Sequence, residues 1–196
     1  MIYFTSDLHI GHEYVSRLRG FSDVVHHDKK ILNNINSVVG KTDELYVLGD
    51  VSSGSSESME YVCDVLSHLN VPAKRCHLVL GNHEKFKIPV RLESSIFGTA
   101  SIHEYVEYKK YRFILSHVPL STSRVVSKNK ASNSEQYSNS KYSIKLLPVA
   151  TVHLHGHTHS NDVFDCDNDM DVNVGLDAWN LHPVSVDRIV EVIGFL

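Results

Sequence analysis

The 196-residue sequence predicts an α/β fold, and three observations carry that expectation. Five short apolar runs each stop abruptly at polar residues, two stretches between the first three runs have helical spacing, and the half of the chain after Phe97 turns to strand-like alternation. The runs are Ile2-Tyr3-Phe4-Thr5 before Ser6-Asp7-Leu8-His9, Leu45-Tyr46-Val47-Leu48 before Gly49-Asp50, and His77-Leu78-Val79-Leu80 before Gly81-Asn82-His83-Glu84. Arg112-Phe113-Ile114-Leu115 before Ser116-His117, and Thr151-Val152-His153-Leu154-His155 before Gly156-His157-Thr158-His159, complete the set. The first four are β-rich and too short for helices, so they read as buried strands. In open α/β sheets ligands collect beyond the carboxyl ends of strands, so metal-type side chains recurring at that one position predict a single convergent site.

Between the first two runs, residues 22–39 place Val24, Val25, Ile31, Leu32, Ile35, Val38 and Val39 at helical spacing, with Ser22 as the N-cap and Gly40 just past the end. Residues 56–70 repeat the pattern through Met59, Val62, Cys63, Leu66 and Leu69 and stop before Pro72, giving βαβαβ order. Next, Ile102, Glu104, Val106 and Tyr108 alternate up to Lys109-Lys110, and residues 111–116 follow, which predicts a hairpin feeding the fourth strand of the site. Residues 171–176 and 184–192 read as further strands, the second of them open to a helical reading.

With 42% hydrophobic and 21% charged residues, the chain has the composition of one soluble domain over residues 1–196. Nineteen Lys and Arg against 23 Asp and Glu leave a net charge of -4, so no global positive field attracts nucleic acid or a membrane. The apolar runs fall well short of the roughly 20 residues a bilayer requires, and Met1 leads into Ile-Tyr-Phe without a basic leader, so a cytoplasmic protein is expected. Cys63, Cys76 and Cys166 are odd in number and form no C-x-x-C pattern, which predicts reduced, mostly buried thiols and no cysteine zinc site. Residues 121–145 form a polar basic loop. It carries Arg124, Lys128, Lys130, Lys141 and Lys145 against Glu135, and reads as either a solvated insertion or a substrate lid.

Histidine is the unusual entry in the composition: there are 14, and six (His9, His12, His153, His155, His157, His159) fall in two short stretches. Taken with the strand-end residues, Asp7, His9, Asp50, Asn82, His117, His157 and His159 supply two carboxylates, four imidazoles and an amide. Such an oxygen and nitrogen set suits Mn²⁺ first, with Fe, Zn²⁺ or Ni²⁺ as alternatives. Seven donors exceed what one tetrahedral ion uses, and fit two cations about 3.5 to 4 Å apart bridged by one carboxylate.

Asp7-Leu8-His9, Gly49-Asp50, Gly81-Asn82-His83-Glu84, His117 and Gly156-His157-Thr158-His159 resemble, in order and spacing, the signature blocks of the calcineurin-like metallophosphoesterase superfamily. The stretch Asn173-Val174-Gly175-Leu176-Asp177-Ala178-Trp179 with Pro183-Val184-Ser185 is similar to its small bacterial and phage-type single-domain branch. The resemblance implies two facing mixed β-sheets flanked by helices, with a dinuclear site at one edge. It implies Asp7, His9, Asp50 and His159 on one cation and Asp50, Asn82, His117 and His157 on the other, so that Asp50 bridges. It also implies attack on phosphorus by a hydroxide the cations generate. His83 then donates to a phosphate oxygen or protonates the leaving group. His12, three residues past His9, reads as either a further phosphate contact or a surface residue. His153 and His155 read as packing or orienting histidines.

Two departures stand out. Val51-Ser52-Ser53-Gly54 replaces the Asp-Arg-Gly continuation of the protein phosphatases, which removes their phosphate-clamping arginine, and Glu84 stands where many members carry aspartate. The expected activity is hydrolysis of a small phosphorylated substrate, a phosphodiester such as a cyclic nucleotide ahead of a nucleotide monoester. A nuclease and a non-catalytic protein-binding scaffold are the alternatives.

Overall fold

The computed structural model describes residues 1–53, 59–84, 96–119, 151–166 and 170–194. Over these residues the chain runs β1 (Ile2–Thr5), α1 (Glu13–Leu18), α2 (Val24–Val38), β2 (Glu44–Leu48), α3 (Met59–Leu66), β3 (Cys76–Val79), β4 (Thr99–Ser101) and β5 (Glu104–Tyr108). It continues through β6 (Tyr111–Leu115), β7 (Thr151–His155), β8 (Asp171–Asn173), β9 (Val184–Ser185) and α4 (Val186–Gly194), with 3-10 turns at Ala73–Arg75 and Leu176–Trp179. The basic loop at 121–145 lies outside the described residues, as does the predicted start of the second helix at residue 56.

The strands build two sheets, ordered β4-β3-β2-β1-β9 and β5-β6-β7-β8. β1 to β4 are parallel and β9 joins β1 antiparallel, while β6, β7 and β8 are parallel and β5 pairs antiparallel with β6. Period-two alternation decides the two layers of core. In β2, Leu45 and Val47 point toward the α2 and α3 residues Ile31, Ile35, Val62 and Leu66, while Leu48 points the other way with Phe4 and Val79. That second layer meets Phe113, Leu115, Val152 and Leu154 of the other sheet, so the sheets face each other; Phe4 and Phe113 lie 6.1 Å apart, ring centre to ring centre. The fold is thus the two-sheet α/β sandwich. No helix among the described residues is long and apolar enough to cross a membrane.

Several local readings are corrected. Asp23, not Ser22, caps α2, because its carboxylate accepts the His26 amide at 2.9 Å from an extended backbone. Only Val184–Ser185 of the segment 184–192 is strand; from Val186 the spacing of buried Val186, Ile189 and Ile193 is helical, and it wins. Of the three thiols only Cys76 is buried, and Cys63 and Cys166 are half-buried. α1 and β4 escape sequence reasoning: Tyr14 and Leu18 of α1 are 66% and 67% exposed, which scrambles its periodicity, and β4 has only three residues.

Candidate metal centre

Every predicted ligand lies just past the carboxyl end of a parallel strand: Asp7 and His9 after β1, Asp50 after β2, Asn82 after β3, His117 after β6, His157 and His159 after β7. The chain must swing sharply there to turn its side chains back over the sheet edge. Asp7 (φ 59°), His9 (50°), Asp50 (51°), His157 (72°) and His159 (52°) all adopt the left-handed backbone that non-glycine residues rarely hold. Strain of this kind, on the order of 1 kcal/mol or more per residue, collects where function demands a geometry.

The side chains sort into two adjoining pockets. Asp7, His9 and His159 bring one donor atom each within 4.8 Å of one another, and so do Asp50, His117 and His157. In the first pocket His9 Nε2 and His159 Nε2 are 3.1 Å apart, and each is 3.9 Å from Asp7 Oδ1. His159 Nδ1 donates to Asp177 at 3.0 Å, so its Nε2 offers a lone pair. Asp7 Oδ1 is buried with no hydrogen-bond partner among the described residues. In the second pocket His117 Nδ1 donates to the Leu48 carbonyl at 2.7 Å, which turns Nε2 toward Asn82 Oδ1 at 2.9 Å, His157 Nδ1 at 3.2 Å and Asp50 Oδ2 at 3.3 Å. Asp50 Oδ2 is also 3.9 Å from His9 Nε2, so this one carboxylate reaches both pockets. Acceptors crowded around two points repel one another unless cations sit between them, and the donor set therefore fits two metal ions.

Electrostatics agree with that reading. Burial, reinforced by His159 and Arg19, drives the His9 imidazole down to about 2 against the pull of Asp50, which keeps it neutral as a ligand must be. Burial likewise lowers His157, with His117 adding to it. Burial works to raise Asp50, but the hydrogen bond and charge of His117 and the His83 amide outweigh it and hold the carboxylate ionised. His117 is raised to about 9, since the bond to Asp50 and the charge of Asp7 overcome its burial.

Two devices hold these loops. Glu84, 8% exposed, accepts the backbone amides of Asp50 at 2.8 Å, Val51 at 2.7 Å and Gly81 at 2.8 Å, which ties the turn after β2 to the turn after β3. The second is close approach: a Cβ on Gly156 would collide with Ser6 Oγ and Asp7 Oδ2. Gly156→Ala is therefore expected to destabilise the fold by roughly 1–3 kcal/mol, the usual cost of overpacking, and to displace Asp7. A melting temperature equal to the parent's contradicts the constraint.

His83 and His12 stand at the mouth. The His83 amide donates to Asp50 Oδ1 at 3.0 Å, its Nε2 is 3.7 Å from Asp50 Oδ2, and its side chain is 28% exposed. The His12 ring packs edge-on to His9 at 5.2 Å and lies 6.1 Å from His83. The structure thus brings all nine predicted site residues together. Sequence reasoning missed the residues that orient them. Arg19 grips Asp177 with two 2.8 Å bonds and donates to the Asp7 carbonyl at 2.8 Å, while Asp177 accepts His159. Arg19 also meets His27 Nε2 at 3.1 Å, and His27 bonds Asp28, which accepts the Gly11 amide. A buried relay thus runs from α2 to the first pocket. Nothing local marks Arg19; Asp177 lies in the stretch whose resemblance was noted above.

Residues 1–161 match the sequence profile of the family described as calcineurin-like phosphoesterase. The gene 66 protein of Mycobacterium phage L5 is 29% identical over 217 residues, covering 99% of this chain and 94% of the phage protein. An uncharacterized protein of Methanocaldococcus jannaschii is 27% identical over 198 residues, covering 98% of this chain and 90% of its own. Among solved structures, a protein of unknown function from Aquifex aeolicus superposes with a TM-score of 0.69 at 24% identity, covering 97% of this chain and 98% of the other.

Proposed function

The chain belongs to the calcineurin-like phosphoesterase family, and from that membership we propose a dinuclear metal-dependent phosphoesterase acting on a small organic phosphate, with a phosphodiester such as a cyclic nucleotide ahead of a nucleotide monoester. The observation that carries this reading is the pair of acceptor-lined pockets meeting at Asp50. Asp7, His9, Asp50 and His159 would hold one cation, and Asp50, Asn82, His117 and His157 the other, Mn²⁺ by choice of donors. Bound there, such a pair activates water as the nucleophile and offsets the charge that develops on the phosphate.

The chain's own residues supply the rest. Asp177 and Arg19 fix the tautomer and aim of His159; the Leu48 carbonyl does the same for His117. His83, at the exposed edge and held by its amide on Asp50, would protonate a leaving oxygen. Beside His159 opens a cleft of about 410 Å³ lined by Val15, Leu18, Arg19, Asn161, Asp177, Asn180 and Leu181. Its size suits a nucleoside-sized group in place of a polymer track.

The test is a panel of p-nitrophenyl phosphate, bis-p-nitrophenyl phosphate, cyclic nucleotides and oligonucleotides with and without Mn²⁺. Diester hydrolysis is expected with Mn²⁺ and none after chelation. Full turnover in protein shown by elemental analysis to be metal-free overturns the reading, and preferential cleavage of oligonucleotides replaces it with a nuclease. For His83→Ala the expected result is a loss of roughly 10² to 10⁴ in kcat at unchanged metal content, smaller when the leaving group is p-nitrophenol. Equal losses on good and poor leaving groups would assign His83 to phosphate positioning instead.

A further inference from the structure

A second cluster of metal-type side chains lies behind the first. His155 closes β7, two residues before His157, and there His155, Asp165 and Cys166 bring one donor atom each within 4.8 Å of one another. We propose that His155, Asp165 and Cys166, with Asp171 beside them, form a third cation site, for a structural thiophilic ion of the Zn²⁺ type. It does not depend on the reading of the two-pocket centre.

The geometry makes the case. His155 is fully buried, and its Nδ1 donates to the Gly156 carbonyl at 3.0 Å, so the Nε2 lone pair points away from it. That lone pair meets Asp165 Oδ1 at 3.4 Å, Cys166 Sγ at 3.9 Å and Asp171 Oδ1 at 3.9 Å, while Cys166 Sγ and Asp165 Oδ1 are 3.4 Å apart. A tetrahedral zinc with bonds of about 2.0–2.2 Å to N and O and about 2.3 Å to S spaces its ligands roughly 3.3–3.6 Å apart. The three donors already sit within a few tenths of an ångström of that spacing. A thiol proton serves the Cys166 to Asp165 contact, yet His155 Nε2 and Asp165 Oδ1 still face each other as two acceptors.

An independent observation points the same way. Asp171 Oδ2 is buried without a hydrogen-bond partner among the described residues. Its other oxygen is held by His153, whose far nitrogen is 2.7 Å from Ser116 Oγ. Asp165 Oδ2 accepts Thr158 Oγ1 and Asn173 Nδ2, so that carboxylate is aimed from behind as metal-binding carboxylates are. The site staples the segment that carries His157 and His159 to β7 and β8, and so stiffens the support of the two-pocket centre. This assigns His155 and Cys166 a role that their sequence spacing, with no C-x-x-C pattern, gave no reason to expect.

Cobalt reconstitution of the chelator-stripped full chain tests the proposal. Co²⁺ is expected to produce a thiolate-to-cobalt charge-transfer band, which oxygen and nitrogen pockets cannot give, and Cys166→Ala to abolish that band. Zinc-loaded parent protein should hold one more equivalent of metal than zinc-loaded Cys166→Ala by elemental analysis. Absence of the band in the parent overturns the site without recourse to any variant. A band that survives Cys166→Ala arises from another thiol and overturns it equally, as does an equal metal count in the two proteins.

Discussion

Asp50→Asn is expected to lower phosphoesterase activity by on the order of 10³-fold or more and to release metal from both pockets, a larger loss than His9→Ala causes on either measure. The geometry sets the ranking. Asp50 Oδ2 stands 3.3 Å from His117 Nε2 and 3.9 Å from His9 Nε2, so it serves both pockets, whereas His9 faces one. Asparagine keeps the shape and removes the charge that two cations require. It also keeps an acceptor for the His83 amide, so the loop need not collapse. Metal counted by elemental analysis after dialysis is the decisive measurement, and parent-like stoichiometry in Asp50→Asn would remove the bridging role.

Glu84→Ala is expected to cost stability on a scale few single changes reach. It strands three buried amides, those of Asp50, Val51 and Gly81, and an orphaned buried donor costs about 1–3 kcal/mol. A total of roughly 3 kcal/mol or more is a large share of the 5–15 kcal/mol typical of a domain, and should lower the melting temperature by about 10 °C. Burial and the nearby Asp50 charge push the Glu84 carboxyl upward, partly offset by the three amides, so Glu84 itself sits at a cost the fold sustains. Glu84→Gln should fall between alanine and the parent, because its amide NH₂ then confronts one backbone N–H. A melting curve for Glu84→Ala that overlays the parent's would show that water or a shifted loop satisfies those amides. The residue that stood in the sequence as an unexplained departure from aspartate thus has a physical task, joining the turns that carry Asp50 and Asn82.

What can be read from this sequence alone, and what cannot, follows the range over which each interaction acts. The strands and the candidate ligands at their ends are legible because both are local: a run such as Ile2-Tyr3-Phe4-Thr5 alternates between two buried faces, and the polar residues that break it must turn out over the sheet edge. The helical spacing of Val186, Ile189 and Ile193 is equally local, although β-branched residues mask it. Short elements such as α1 and β4 carry too few buried positions for any period to emerge. Pairings across the fold leave no mark on the chain: Arg19 meets Asp177 158 residues away, and Glu84 caps amides 33 and 34 residues back. The sequence by itself determined the α/β class, the seven acceptor residues and their convergence, since residue type and strand period suffice for these. The partition into two pockets meeting at Asp50 was legible only through the family resemblance, and only the tertiary structure decided that Arg19, Asp177 and Glu84 aim these acceptors and that His155 meets Asp165 and Cys166, because each of these depends on the packing distance between segments that no local pattern encodes.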